Sequence, residues 1–253
     1  MKMTGILLLA LLPAAAMAAD YPAPTPAEQQ AAFPDMTAMD MKDDMSGGAL
    51  YHQIMVEQLE GQAADGATPL HWEGKAWWGK DLDRLWLRSE GDRQAGISQD
   101  LETQALWGHA SSAWWDSLLG LRQDGGKGPA RTWLAMGVQE RTPWFFHATA
   151  TVFAGDEGRS ALRLELEDDW RLDDHFVLQP RMELNGYGQP DPERGVAAGF
   201  SDERAGLRLR YEIRRELAPY LGVEWRYHRS PAGQIAETGE GGWRAVAGLR
   251  FWF

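Results

Sequence analysis

The sequence predicts an all-β chain, a transmembrane antiparallel up-and-down β-barrel of 12 strands with a disordered Met-rich N-terminal arm. Three observations predict it. Apolar and charged residues alternate with period two through most of the chain, aromatic residues gather at the ends of those alternating segments, and no apolar run outside the first nineteen residues approaches the roughly 18 to 20 residues of a membrane-spanning helix.

Residues 1–19 read as a secretory signal, with Lys2 as the charged start, an apolar run from Ile6 to Leu12, and small residues around Ala16-Met17-Ala18. Removing it takes only Lys2 from the charge balance, so a formal −12 becomes about −13. Such an acidic surface argues against nucleic acid as a partner. The chain has no cysteine, which excludes disulfides and thiolate zinc or iron–sulfur sites.

Residues 20–48 are poor in large aliphatic side chains. They carry Pro22, Pro24, Pro26 and Pro34, then a Met and Asp cluster ending at Gly47-Gly48. Such a segment cannot bury enough apolar area to offset its ordering entropy, so a disordered periplasmic arm is expected.

Residues 49–253 are expected to form the barrel. In the last segment Trp243, Ala245, Ala247, Leu249, Phe251 and Phe253 share one face, against Arg244, Val246, Gly248, Arg250 and Trp252. Upstream, Leu221, Val223, Trp225 and Tyr227 oppose Gly222, Glu224, Arg226 and His228, while Leu207, Leu209, Tyr211 and Ile213 oppose Arg208, Arg210, Glu212 and Arg214. Leu162, Leu164 and Leu166 against Arg163, Glu165 and Glu167 repeat the pattern, as do Met182 and Leu184 against Arg181 and Glu183.

A soluble sandwich also alternates; the segment ends separate the two architectures. Trp77-Trp78, Trp114-Trp115, Trp144-Phe145-Phe146 and Phe251-Trp252-Phe253 suit aromatic girdles at two membrane interfaces. Connections alternate in length. Short turns are expected at Lys80-Asp81, Arg171 to Asp174 and Arg215 to Ala218, and longer polar loops at Gln123 to Ala130, Tyr187 to Asp202 and Arg229 to Gly241. Eleven strands are legible from Trp72 onward, and a closed antiparallel barrel with both ends on one side needs an even number. Tyr51 to Glu60, with Ile54 and Val56 alternating against Met55 and Glu57, supplies the twelfth.

The stretch Gly79-Lys80-Asp81-Leu82-Asp83-Arg84-Leu85-Trp86-Leu87-Arg88-Ser89-Glu90-Gly91 resembles the signature region of the copper resistance protein B family, in which an aspartate-rich turn leads into a Leu-Trp-Leu strand and a polar Ser/Thr-Glu-Gly end. The resemblance extends to Tyr51–Leu59, to Pro180-Arg181-Met182-Glu183-Leu184-Asn185, to Leu207–Ile213 and to Pro219-Tyr220-Leu221-Gly222-Val223-Glu224-Trp225. It implies an outer-membrane protein of Gram-negative copper tolerance that binds or passes copper alongside a periplasmic multicopper oxidase. Family members often carry a long arm of Met-Asp-His repeats; this arm has four methionines and no histidine before His52.

Thioether sulfur stays unprotonated and selects Cu(I) over harder ions, so Met36, Met39, Met41 and Met45 can wrap one such ion. Asp40, with Asp35, Asp43 and Asp44, adds negative charge that attracts cations, and His52 closes the set. Weaker candidates are Met55, His71 and His228; Met136 and Met182 serve as ligands only where they face inward, and Met182 shares parity with Leu184. Arg163, Glu165, Glu167, Arg181, Glu183, Arg208, Arg210, Glu212, Arg214, Glu224, Arg226, Arg244 and Arg250 are expected to meet across neighbouring strands as an ion-pair lattice plugging the lumen.

The function expected is a non-enzymatic copper-binding or copper-exporting protein in the outer membrane, in contact with its lipid. The alternative is a general narrow porin for small solutes. An outer-membrane hydrolase built on His109, Ser111 and Ser112 lacks a nucleophile elbow or an ordered triad. A barrel closes its own edges, so a monomer is the default.

Overall fold

The structure, a computed structural model, describes residues 25–28, 50–63, 69–140, 146–231 and 240–253. The chain divides into a unit of residues 1–46 and a unit of residues 47–253. In the first unit, Thr25 and Glu28 cap each other around a helical turn: the Glu28 carboxylate accepts from the Thr25 backbone N–H at 2.7 Å, and Thr25 Oγ1 accepts from the Glu28 N–H at 3.3 Å. Thr-Pro-Ala-Glu is a capping box with proline at the first helical position, which accounts for this turn. The signal peptide and the rest of the arm lie outside the described residues.

The second unit is a closed antiparallel barrel. Its strands are β1 (Tyr51–Gln62), β2 (Leu70–Gly79), β3 (Asp83–Gln94), β4 (Ile97–Ala110), β5 (Trp115–Gly126), β6 (Arg131–Glu140), β7 (Phe146–Gly155), β8 (Ser160–Asp168), β9 (Phe176–Tyr187), β10 (Gly199–Tyr211), β11 (Leu217–His228) and β12 (Glu240–Trp252). Beyond Asp169, Trp170–Arg171 prolongs β8 against β9, so thirteen ladder segments make 12 strands, as the parity of the termini requires. Each strand pairs with the next, and β1 pairs with β12 from Met55↔Trp252 to Gln62↔Val246. Paired backbone bonds between Ile54 and Phe253, at 2.9 and 3.0 Å, finish the seam. Closure leaves no exposed sheet edge.

Side chains alternate about the wall in the sense opposite to a soluble fold. Arg208 and Arg210 are 1% exposed, whereas Leu207 and Leu209, one residue away, are 40% and 41% exposed. Leu221, Trp243 and Leu249 likewise stand outward. An outer surface this apolar is stable only against lipid, which separates a membrane barrel from a sandwich.

The rim at which β1 starts and β12 ends, here the terminal rim, has among the described residues turns at 80–82, 111–114, 172–175 and 212–216; the opposite, loop rim joins strands there through 95–96, 127–130, 156–159 and 188–198. The expected alternation of short and long links therefore fails at Ala95-Gly96 and at 156–159. Gly96 at φ 83° follows Ala95 at φ 49°, the left-handed pair of a two-residue hairpin. The expected loop Gln123–Ala130 shrinks because β5 runs on to Gly126.

Within β1 the register slips: Val56 faces Gly74 across the ladder but Gln58 faces Glu73. Glu57 is the extra residue of a β-bulge, so Met55 and Glu57 face inward before it and Gln58, Glu60 and Gln62 after it. Gly91, the last residue of the signature stretch, lies under the Trp72 ring of the paired strand, where a Cβ would collide with the indole.

Candidate functional site: a partitioned, charged lumen

The lumen has two differently filled walls. On the inner face of β3 to β7, Trp86, Leu106, Leu118, Trp133, Ala135 and Phe153 form a buried apolar cluster, joined by Trp77 and Ala161. That cluster was not anticipated. β5 to β7 are apolar on both faces, as in Leu118-Leu119 or Trp133-Leu134-Ala135-Met136, so their alternation carries little contrast.

Most of the ion pairs involve the remaining wall, and several of their bonds cross the lumen. Arg163 on β8 makes a two-pronged contact with Glu102 on β4, both bonds 2.8 Å, and bonds Asn185 on β9 at 2.8 Å. Arg181 on β9 pairs with Glu73 on β2 and lies within 3.9 Å of Glu165, Glu167 and Glu183. Arg208 on β10 bonds Glu60 on β1 at 3.0 and 3.1 Å, Gln58 at 3.0 Å and Glu224 at 2.8 Å, and Tyr220 donates to Glu60 at 3.0 Å. The expected pairing between neighbouring strands thus holds for Arg208 with Glu224 but not for the main partners of Arg163 and Arg181.

Arg210 pairs with Asp169 at 2.5 Å, Arg244 donates to Gln62 at 3.2 Å, and Arg250 donates to the Met55 sulfur at 3.5 Å. Glu212 and Arg214 lie beyond β10 in the terminal-rim turn. Glu212 meets Arg171 there at 3.0 Å, and Arg214 is exposed, so neither belongs to the luminal lattice. Sequence reading passed over many of the acids, among them Glu60, Glu73, Glu90, Asp92 and Glu102. Glu60, Glu73 and Glu102 each follow a large apolar residue, the same signal that exposed the arginines, whereas Glu90 and Asp92 stand among Ser89, Gly91 and Arg93, where the alternation carries no contrast.

The arm residues Met36, Met39, Met41, Met45 and Asp40 lie outside the described residues. His52 opens β1 on the outward face and is exposed. Met55 points into the lumen near the terminal rim, whereas Met136 and Met182 face outward. His71 is buried, with Nδ1 2.9 Å from the Asp92 carboxylate. His228 places Nδ1 3.3 Å from Asp202 and Nε2 3.2 Å from the Gly195 carbonyl. Arg226 bonds Asp92 at 3.1 Å and lies 3.8 Å from Asp202, so the two histidines end one continuous polar chain instead of converging. Among the described residues no three His, Asp or Glu side chains gather into a metal-binding group. The Ser111 hydroxyl meets Ser117, and the Ser112 hydroxyl accepts from the Trp114 and Trp115 N–H groups, while His109 meets Asp83 through Nδ1.

Two cavities flank the ion pairs. One of 730 Å³ opens toward the loop rim, where the 188–198 loop folds over it. Asp191 of that loop is held by Arg131 at 2.9 and 3.3 Å, and Arg194 donates to the carbonyls of Pro129 and Gly125. Burial of the Asp191 carboxyl opposes its ionisation, but the Arg131 hydrogen bonds and the Arg131 and Arg159 charges outweigh it and hold the group below the usual carboxylate range. The second cavity, of 490 Å³, opens toward the terminal rim and is lined by nine acidic and six basic side chains.

The barrel is similar to the NanC porin, with a TM-score of 0.50 at 11% identity over 78% of this chain and 98% of that one, a likeness of fold alone. In sequence the chain is 41% identical to copper resistance protein B of Escherichia coli over 92% of its own length and 78% of the relative's. It is 43% identical to the copper resistance protein B homolog of Pseudomonas syringae pv. tomato, over 81% of this chain and 71% of that one. The family described as copper resistance protein B precursor matches residues 50–253, the whole of the barrel, and the chain belongs to that family.

Proposed function

We propose that this protein is an outer-membrane copper-binding protein that contributes to periplasmic copper resistance by binding or exporting copper ions, with Cu(I) the favoured form. The observation that carries the reading is the family match, which spans every strand of the barrel. The arm supplies the soft ligands: Met36, Met39, Met41 and Met45, with Asp40 raising local cation concentration and His52 at the start of β1. The acidic excess of the terminal-rim cavity supports cation traffic at the end of the barrel from which β1 starts. The arm lies in the periplasm, the protein works as a monomer without catalysis, and a periplasmic multicopper oxidase is the partner.

Chelator competition for Cu(I) on the refolded mature protein tests this, beside a version lacking Asp20 to Gly48 and one with the four arm methionines changed to isoleucine. Binding that falls with the arm makes the methionines the copper site and the barrel its platform. Binding that persists moves the site to the lumen, where Met55 is the inward thioether. No binding by any version overturns the copper reading and favours a narrow porin, which the two cavities support.

A further inference from the structure

The two luminal cavities share three lining residues, Glu90, Glu102 and Arg163. Glu102 is on β4 and Arg163 on β8, so their bond spans the lumen instead of following the sheet. Arg122 approaches the same Glu102 carboxylate at 2.9 Å, and Arg204 holds Glu90 at 2.5 Å, with Arg163 3.6 Å from Glu90's other oxygen. A guanidinium fork matched to a carboxylate fixes both geometry and position, and burial strengthens it. All three residues shared by the two cavities are charged, so charge pairing joins the walls where the cavities meet.

We propose that Arg163, clasped by Glu102 and Glu90, is a septum that keeps the lumen closed and determines that what passes when it yields is a small cation. Displacing the arginine takes one guanidinium from Glu102 and Glu90, which keep Arg122 and Arg204, and shifts the local balance toward negative charge; a cation arriving from the acidic terminal-rim cavity competes with Arg163 for that place. The inference stands apart from the copper reading, because it applies to any cation.

The test is conductance of the full mature protein in planar bilayers under a KCl gradient. Wild type should be closed or nearly so. Arg163→Gln should raise conductance several-fold, with a reversal potential shifted toward that of potassium, and Arg163→Lys, which keeps the charge, should stay near wild type. Glu102→Gln should open the path with weaker cation preference. Arg171→Gln, which breaks the exposed pair with Glu212 in the terminal-rim turn outside the luminal lattice, should leave conductance unchanged. Arg163→Gln that conducts no better than wild type, or conducts without cation preference, overturns the septum. Should the variant not fold, wild type alone decides: an open, ohmic lumen overturns the proposal and a closed one supports it.

Discussion

The wall of β3 to β7 and the wall made by β8 to β12 with β1 and β2 enclose the same lumen, and only the first adds a packed apolar cluster to its charged residues. The first packs Trp86, Leu106, Leu118, Trp133 and Phe153 against one another; the second sets Arg163, Arg181 and Arg208 against carboxylates. Arginines bridge the two: the Arg122 guanidinium lies 4.7 Å from the Phe153 ring centre and 5.9 Å from that of Trp133. In a membrane barrel the lipid side takes the apolar residues, so the lumen is free to be either. The difference lies in failure. An apolar wall that loses a side chain keeps a smaller core, whereas a charged wall that loses one partner keeps a buried, uncompensated charge.

That contrast is broken or sharpened by substitution. The largest effect is expected at Arg208: Arg208→Met strands Glu60 and Glu224 and should cost about 4 kcal/mol in urea unfolding of the refolded barrel. Adding Glu60→Leu and Glu224→Leu should return most of that stability; a triple variant as weak as the single one would show that charge pairing is not what this wall depends on. On the apolar wall, Leu106→Ala should cost about 3 kcal/mol, with no rescue by neutralising any charge. On the outside, Leu207→Arg should cost about 2 kcal/mol in lipid bilayers, although the next residue, Arg208, is required inside. Little loss there would place Leu207 away from hydrocarbon.

The smallest effect concerns the 188–198 loop. The Asp191 carboxyl is depressed in the folded state, so its contribution is present above the ordinary carboxylate value near 3.8 and is lost as pH falls through its lower folded value. Protease cleavage of the loop should stay slow from pH 8 down to about 5. Asp191→Asn should raise it at neutral pH by an amount equivalent to under about 1 kcal/mol. Faster cleavage of wild type already at pH 5 would remove Asp191 as the pin.

Much of this was legible beforehand. The faces of β10 and β11 follow from Leu207, Arg208, Leu209 and Arg210 or Val223, Glu224 and Trp225 alone, because period two is a property of neighbouring residues. The helical turn at Thr25 to Glu28 was written in Thr-Pro-Ala-Glu and overlooked. The bulge at Glu57 was not legible, since one inserted residue leaves the local composition unchanged while exchanging the faces of all that follow. Nor was the chain from His71 through Asp92, Arg226 and Asp202 to His228, whose members come from four strands.

The sequence by itself determined the strand number, the two faces of the charged strands and the family, because lipid outside and pleat geometry act on residues one and two apart. Only the tertiary structure decided that Arg163 reaches Glu102, that Arg208 reaches Glu60, and that three side chains divide the lumen. Those partners sit on strands that share no ladder, and what brings them within 3 Å is the closure and stagger of the whole barrel, a condition no local stretch of residues encodes.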